Sequence, residues 1–213
     1  MRSLVLSQDI ELKSRVLALD MSTKTGWAVV DMQKGSFSLI DCGTLQKESE
    51  PEGEYPINYL EWSSKCFTHI EEIIDKYAPD EFVIEETAKG SKNNMSQKIV
   101  EFVHYELALY FRDIDKINSP KRYYLTEEWR RIVGCKMNDE EKKQNAEVRK
   151  QRKKKIKVCK DKDGKRIGLI GKKHVNVRRA NEVYKLDLIL KDEDKADALL
   201  LAHALYLEKY QQL

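Results

Sequence analysis

The sequence predicts an α/β protein: a mixed five-stranded sheet flanked by helices, with a basic insertion. Three observations lead there. Short apolar runs separated by turn residues fill positions 15–45, as in an antiparallel meander. From Ile57 the apolar spacing lengthens to that of amphipathic helices alternating with single strands. Residues 137–170 then depart from the rest in composition, so the 213-residue length suits one domain carrying an insertion.

Residues 1–14 alternate poorly and read as an N-terminal extension, leaving 15–213 as the domain. Val16 to Leu19 is an apolar run ending on Asp20, and a polar turn, Ser22 to Gly26, leads into a second strand at 27–31. Ser22 and Thr23 either form this turn or contact phosphate. Lys34-Gly35 turns into a third strand, 36–45, and the Glu-, Pro- and Gly-rich segment 48–56 is a surface loop. Leu60, Phe67, Ile70, Ile74 and Tyr77 mark the first helix, which Pro79-Asp80 ends. The strand 81–86 follows, another apolar run closed by acid, Glu85 and Glu86. A polar loop, 87–94, precedes a helix with Ile99, Val103, Leu107 and Tyr110 or Phe111 on its apolar face. Lys121 to Leu125 form the fifth strand, and Thr126 is placed as the N-cap of a short helix carrying Trp129 and ending near Gly134.

Within the insertion, 139–157 reads as a solvated helix or partly disordered arm, and Asp163-Gly164 as the turn of a hairpin. Helical spacing returns at Val175, Ala180 and Val183, and a last helix runs from the Asp192-Glu193-Asp194 acids through Tyr210.

Charge is distributed unevenly. Lys136 to Arg179 holds 18 Lys and Arg against 6 Asp and Glu, a net +12, while the remainder holds 21 against 30, a net −9. A basic arm on an acidic body suits a binder of phosphate backbones, the plainer reading being a solvated lysine-rich loop. Cys42, Cys66, Cys135 and Cys159 form no CxxC pair and suggest neither a zinc site nor a disulfide framework. With no apolar stretch of membrane-spanning length and no signal-peptide core, the expectation is a soluble cytoplasmic protein with no membrane partner.

The acids carry the chemistry. Asp20 ends a buried strand, where a carboxylate is costly unless it meets a cation. Asp194 and Asp197, in DKADALLLAHAL, fall on one side of the last helix about a turn apart. Taken singly, Asp194 could be an N-cap and Glu86 the first solvated residue after its strand. If the strands bearing Asp20 and Glu85 lie side by side, however, their repulsion calls for a divalent cation. Trp129 and His203 sit among apolar residues and read as core, the alternatives being a ring that stacks on a base for Trp129 and a ligand for His203.

The order of strands and helices, with acids on strands one and four and on the closing helix, is similar to the ribonuclease H-like fold. Within it the chain resembles the RuvC-type Holliday-junction resolvases, especially divergent phage-like members. The resemblance rests on LALDMSTKTGWAVV, IIDKYAPDEFVIEE, EWRRIVG and DKADALLLAHAL, covering about 15–134 and 172–210. It implies that Asp20, Glu85, Asp194 and Asp197 are the catalytic metal ligands, with Glu86 the alternative to Glu85. It also places Lys173 near the scissile phosphate, Lys172 beside it. The implied cofactor is a pair of Mg²⁺ ions per active site, or Mn²⁺, roughly 3.5–4 Å apart.

The implied activity is paired phosphodiester hydrolysis of four-way DNA junctions by a homodimer in a bacterial or phage-infected cell. Two alternatives are a broader branched-DNA debranching nuclease and a non-catalytic junction-binding scaffold. Lys153, Lys154, Lys155, Lys172, Arg178 and Arg179 are the candidate DNA contacts. Two departures stand out: Ala88 occupies the position of an aromatic wedge residue, and the basic 137–170 segment has no counterpart in the family's core.

Overall fold

In the computed structural model, residues 13–22, 24–45, 52–87, 94–113 and 119–211 are described. Strand β1 (Ser14–Asp20) occupies the centre of a five-stranded sheet with β2 (Gly26–Gln33), β3 (Ser36–Thr44), β4 (Glu81–Glu85) and β5 (Lys121–Tyr124), in the order β3-β2-β1-β4-β5. The first three strands are antiparallel, and β1-β4 and β4-β5 are parallel. Asp20 thus lies opposite Gly26 on one side, and on the other the pairing of Leu19 with Ile84 brings the ends of β1 and β4 together.

Period-2 alternation splits the sheet between two cores. Leu17, Leu19, Phe82 and Ile84 face α1 (Ile57–Tyr77) and α2 (Asn94–Asp113), meeting Phe67, Ile70, Ile74, Val103, Leu107 and Phe111. Phe111 is the buried residue of the Tyr110-Phe111 pair, and Tyr110 packs against it from the edge. Val16, Ala18, Val30 and Val83 face the other way. There they meet α3 (Thr126–Ile132), α5 (Lys172–Tyr184) and α6 (Glu193–Tyr210). Helix α6 buries nearly every side chain from Ala196 to Leu207, so it is apolar on all sides, as a helix covered by both sheet and helices must be.

Residues 137–170 are folded more firmly than their composition suggests. Helix α4 (Asp139–Lys153) begins at Asn138, whose side chain accepts from the Glu141 amide at 2.8 Å while Glu141 accepts from the Asn138 amide at 2.8 Å. Glu141, Asn145 and Val148 form one buried helix face, so α4 is neither solvated all round nor a disordered arm. Asn145 and Gln151 each exchange a pair of hydrogen bonds with the returning chain, at Ile170 and Lys160 respectively. The expected hairpin is reduced to a single antiparallel bridge, Lys160 to Arg166, closed over Asp161 and Gly164. Asp161 accepts the amides of Asp163 and Lys165, a turn chemistry that leaves no length for paired strands.

Thr126 is not the N-cap of α3. Leu125 takes that position, and the Thr126 hydroxyl serves another partner. Likewise Asp192, not Asp194, precedes α6. The expected extension 1–14 lies outside the described residues up to position 12, as do Thr23 and Ala88.

Candidate active site

Where β1 and β4 end, both strands deliver a carboxylate to the α6 side of the sheet. Asp20 has the parity of Val16 and Ala18, and Glu85 that of Val83. Glu86 points to the opposite face, where its charge acts on His104 of α2. Helix α6 adds Asp194 and Asp197 from its first turns. All four residues are partly buried.

Their electrostatics show that they share one locality. Burial pushes the Asp20 carboxyl well above its ordinary range, and the charges of Glu85, Asp197 and Asp194 push it further, with the charge of Lys173 opposing them. Asp197 is raised to about 7, by burial first, against the hydrogen bond from Asn176 and with Glu85 adding repulsion. Glu85 is raised by burial despite two hydrogen bonds and the positive charge of Arg130. Asp194 is raised by burial and held back by Lys24, whose ammonium lies 3.5 Å away.

Each acid but one is held by a specific partner. Thr126 Oγ1 donates to Glu85 Oε1 at 2.6 Å and Trp129 Nε1 donates to Glu85 Oε2 at 2.7 Å, which fixes both oxygens. Asn176 Nδ2 donates to Asp197 Oδ1 at 2.6 Å. No donor among the described residues is bonded to the Asp20 carboxylate, the group under most repulsion. Gly26 explains how Asp194 comes so close: a Cβ there would lie 1.9 Å from the Asp194 carbonyl oxygen, so only glycine admits this contact. Ser22 is spent on the turn, its hydroxyl accepting from the Lys24 amide at 3.0 Å.

Of the predicted residues, the structure brings together Asp20, Glu85, Asp194 and Asp197, with Lys173 at their edge in an ion pair with Glu193. Lys172 instead reaches Glu127 at 2.5 Å. Lys153, Lys154 and Lys155 are exposed at the far end of α4. Arg178 and Arg179 are committed within the protein. Arg178 is bound by Glu141, Glu182 and the Lys136 carbonyl, and Arg179 by the Val133 carbonyl and Glu182. They brace the insertion and α3 against α5 instead of standing free for phosphate. The site residues not anticipated are Thr126, Arg130 and Asn176, with Trp129 expected as core or as a ring stacked on a base. Strand parity in the sequence separates Glu85 from Glu86, whereas nothing local marks these partners.

The donor chemistry fits a hard cation. The oxygens are carboxylates, and beside them the Asn176 Oδ1 atom is buried and accepts no hydrogen bond. Burial pushes the nearby Cys135 thiol up to about 11. Among the described residues no three Asp, Glu, His or Cys side chains form a ready cage for one ion. Mg²⁺ in general takes one or two carboxylates and completes its sphere with waters and substrate phosphates.

No known family model matches the sequence, and no curated protein matches it significantly. Solved structures do. Thermus thermophilus RuvC in complex with a Holliday junction substrate aligns with a TM-score of 0.58 at 16% identity, over 91% of this chain and 94% of that one. A second structure of Thermus thermophilus RuvC aligns at 0.57 and 16%, over 91% and 95%. The yeast mitochondrial Holliday junction resolvase Ydc2 gives 0.49 and 14%, over 92% and 79%. The sheet order, the helices on its two faces and the two RuvC alignments together show that the chain has the ribonuclease H-like fold of RuvC.

Proposed function

We propose that this chain is a divalent-metal-dependent endonuclease that hydrolyses phosphodiester bonds in branched DNA, with the four-way junction as its substrate. The observation that carries this reading is the gathering of Asp20, Glu85, Asp194 and Asp197 from two strand ends and one helix start onto one face of the sheet. Four acids raised together above their ordinary range are poorly suited to a structural role, since the cations and donors around them relieve only part of their repulsion. A fold shared with RuvC, whose solved complex holds a Holliday junction, supports the choice of substrate.

Asp20, Glu85, Asp194 and Asp197 would hold two Mg²⁺ or Mn²⁺ ions. Bound there, the ions supply a nucleophilic water and stabilise the charge on the leaving oxygen. The protein's own part is positioning. Thr126 and Trp129 present Glu85 in a fixed orientation, and Asn176 does the same for Asp197. Lys173, at the rim, is placed to meet a phosphate oxygen by exchanging its Glu193 partner. Lys172 and Lys153 to Lys155 offer contacts to the backbone further out. A two-fold homodimer would set two such sites across one junction.

The broader debranching nuclease is favoured by one observation, the exposed lysines of the insertion, which offer charge without base readout. Purified protein is therefore given four-way, three-way, flap and linear DNA with Mg²⁺. Cutting is expected on the four-way junction first, and Asp20→Asn should lose it while still binding the junction. Absence of Mg²⁺-dependent cutting on every substrate would overturn the nuclease reading, and equal rates on all branched forms would replace junction resolution by debranching.

A further inference from the structure

We propose that residues 137–170 form a preassembled grip for a double-stranded arm of the DNA, binding its phosphates without regard to sequence and away from the reacting bond. The inference rests on the nucleic-acid reading above and adds the partner's form and the module that holds it.

The first support is charge without partners. Between Arg149 and Arg166 stand eleven Lys and Arg against two Asp, a net +9 within 18 residues. All eleven are exposed. None forms an ion pair with another described residue, whereas Lys172, Lys173, Arg178 and Arg179, just beyond, are all paired. Of the two acids, Asp161 is taken up by the backbone amides of its own turn.

The second support is rigidity. The capping box at Asn138, the Asn145 and Gln151 staples and the burial of Val148 and Cys159 give the segment a fixed shape. Arg178 ties Glu141, one turn into α4, to α5, the helix that also carries Asn176. From that anchor to Lys153, α4 runs 12 residues, about 18 Å at 1.5 Å per residue. None of the eleven cations is among the main charges that shift Asp20, Glu85, Asp194 or Asp197, which suits contact with a flanking arm more than with the phosphate being cut.

Composition selects the partner. The segment contains no Phe, Tyr or Trp. Single-stranded nucleic acid is held largely by stacking on aromatic rings, and protein interfaces are anchored by Tyr and Trp as well as Arg. A lysine-rich surface without rings is left with the phosphate lattice of a duplex, where affinity comes from released counterions.

The test measures binding in EDTA, so that a failure of the nuclease reading, seen in cleavage, stays separate from a failure of this one. Wild type is compared with a variant combining Lys150→Gln, Lys153→Gln, Lys154→Gln, Lys155→Gln, Lys157→Gln and Lys160→Gln, and with the matching Lys→Arg set. Fluorescence anisotropy follows a short duplex and a single strand of equal length over a salt series, and thermal melts establish that each variant is folded. On the duplex the Gln variant should lose at least about tenfold in affinity, with a log–log salt slope shallower by roughly three or more, and the Arg set should restore both. An unchanged duplex slope in the folded Gln variant overturns the proposal. So does a loss on the single strand as large as that on the duplex.

Discussion

Glu85 keeps its orientation because each of its oxygens has a donor, Thr126 for one and Trp129 for the other. Trp129→Phe keeps a buried ring and removes the N–H. Single-turnover cleavage of a four-way junction should then fall roughly 10–100-fold, with junction affinity in EDTA unchanged. A parallel loss of affinity would point to a disturbed fold instead. His203 offers a test of a different kind. It lies against Phe37 and Tyr206, its Nδ1 is buried without a partner, and burial pushes its pKa down from 6.5 to about 4, with Arg179 adding repulsion. Between those values the unfolded chain holds the proton that the folded chain refuses, so this residue makes stability fall as pH falls through that window. Asp197, raised to about 7, works in the opposite direction. The check is therefore a difference: urea unfolding of His203→Phe should show less loss of stability than wild type between pH 6.5 and 4.

At the scale of elements, the approach of β2 to α6 governs where Asp194 sits. A Cβ at position 26 would collide with the Asp194 backbone, so Gly26→Ala must separate the start of β2 from the start of α6. Urea unfolding should show a loss of about 1–3 kcal/mol, typical of overpacking. Cleavage should drop at temperatures where the variant is still fully folded, because the shift moves a proposed ligand. The elements themselves were largely legible in the sequence. The strand end at Asp20 and the buried run after Asp197 followed from apolar runs and spacing, and the fourth strand, read as 81–86, ends one residue earlier, at Glu85. What was hidden arose from contacts distant in sequence. Thr126 carries the usual signal of an N-cap, yet Glu85, 41 positions earlier, claims its hydroxyl. Asn176 lies in a helix of mostly polar sequence, and only the fold shows that it is buried against Asp197. Low hydropathy made α4 look solvated, because the amide staples of Asn145 and Gln151 leave no mark in an apolar pattern.

For the molecule as a whole, the acids of the site oppose one another in the absence of a cation. Asp20→Asn removes a charge that burial and three neighbouring carboxylates disfavour, and it keeps the side-chain shape. In EDTA the variant should melt higher than wild type by about 2–4 °C for each kcal/mol relieved. Added Mg²⁺ should raise the wild-type melting temperature saturably, chelation should reverse it, and the variant should respond less. A wild-type melting temperature indifferent to Mg²⁺ would count against a metal site.

Entry to and exit from the basic segment meet on one side chain, for the Asn145 amide touches Met137 Sδ at 3.4 Å and bonds the Ile170 backbone in both directions. Such a lobe is open to exchange, with the Arg178–Glu141 brace to α5 to replace besides this neck. Lineages could trim, enlarge or swap it, and protein engineers could graft another module in its stead, while the four carboxylates stay where the strands and α6 put them.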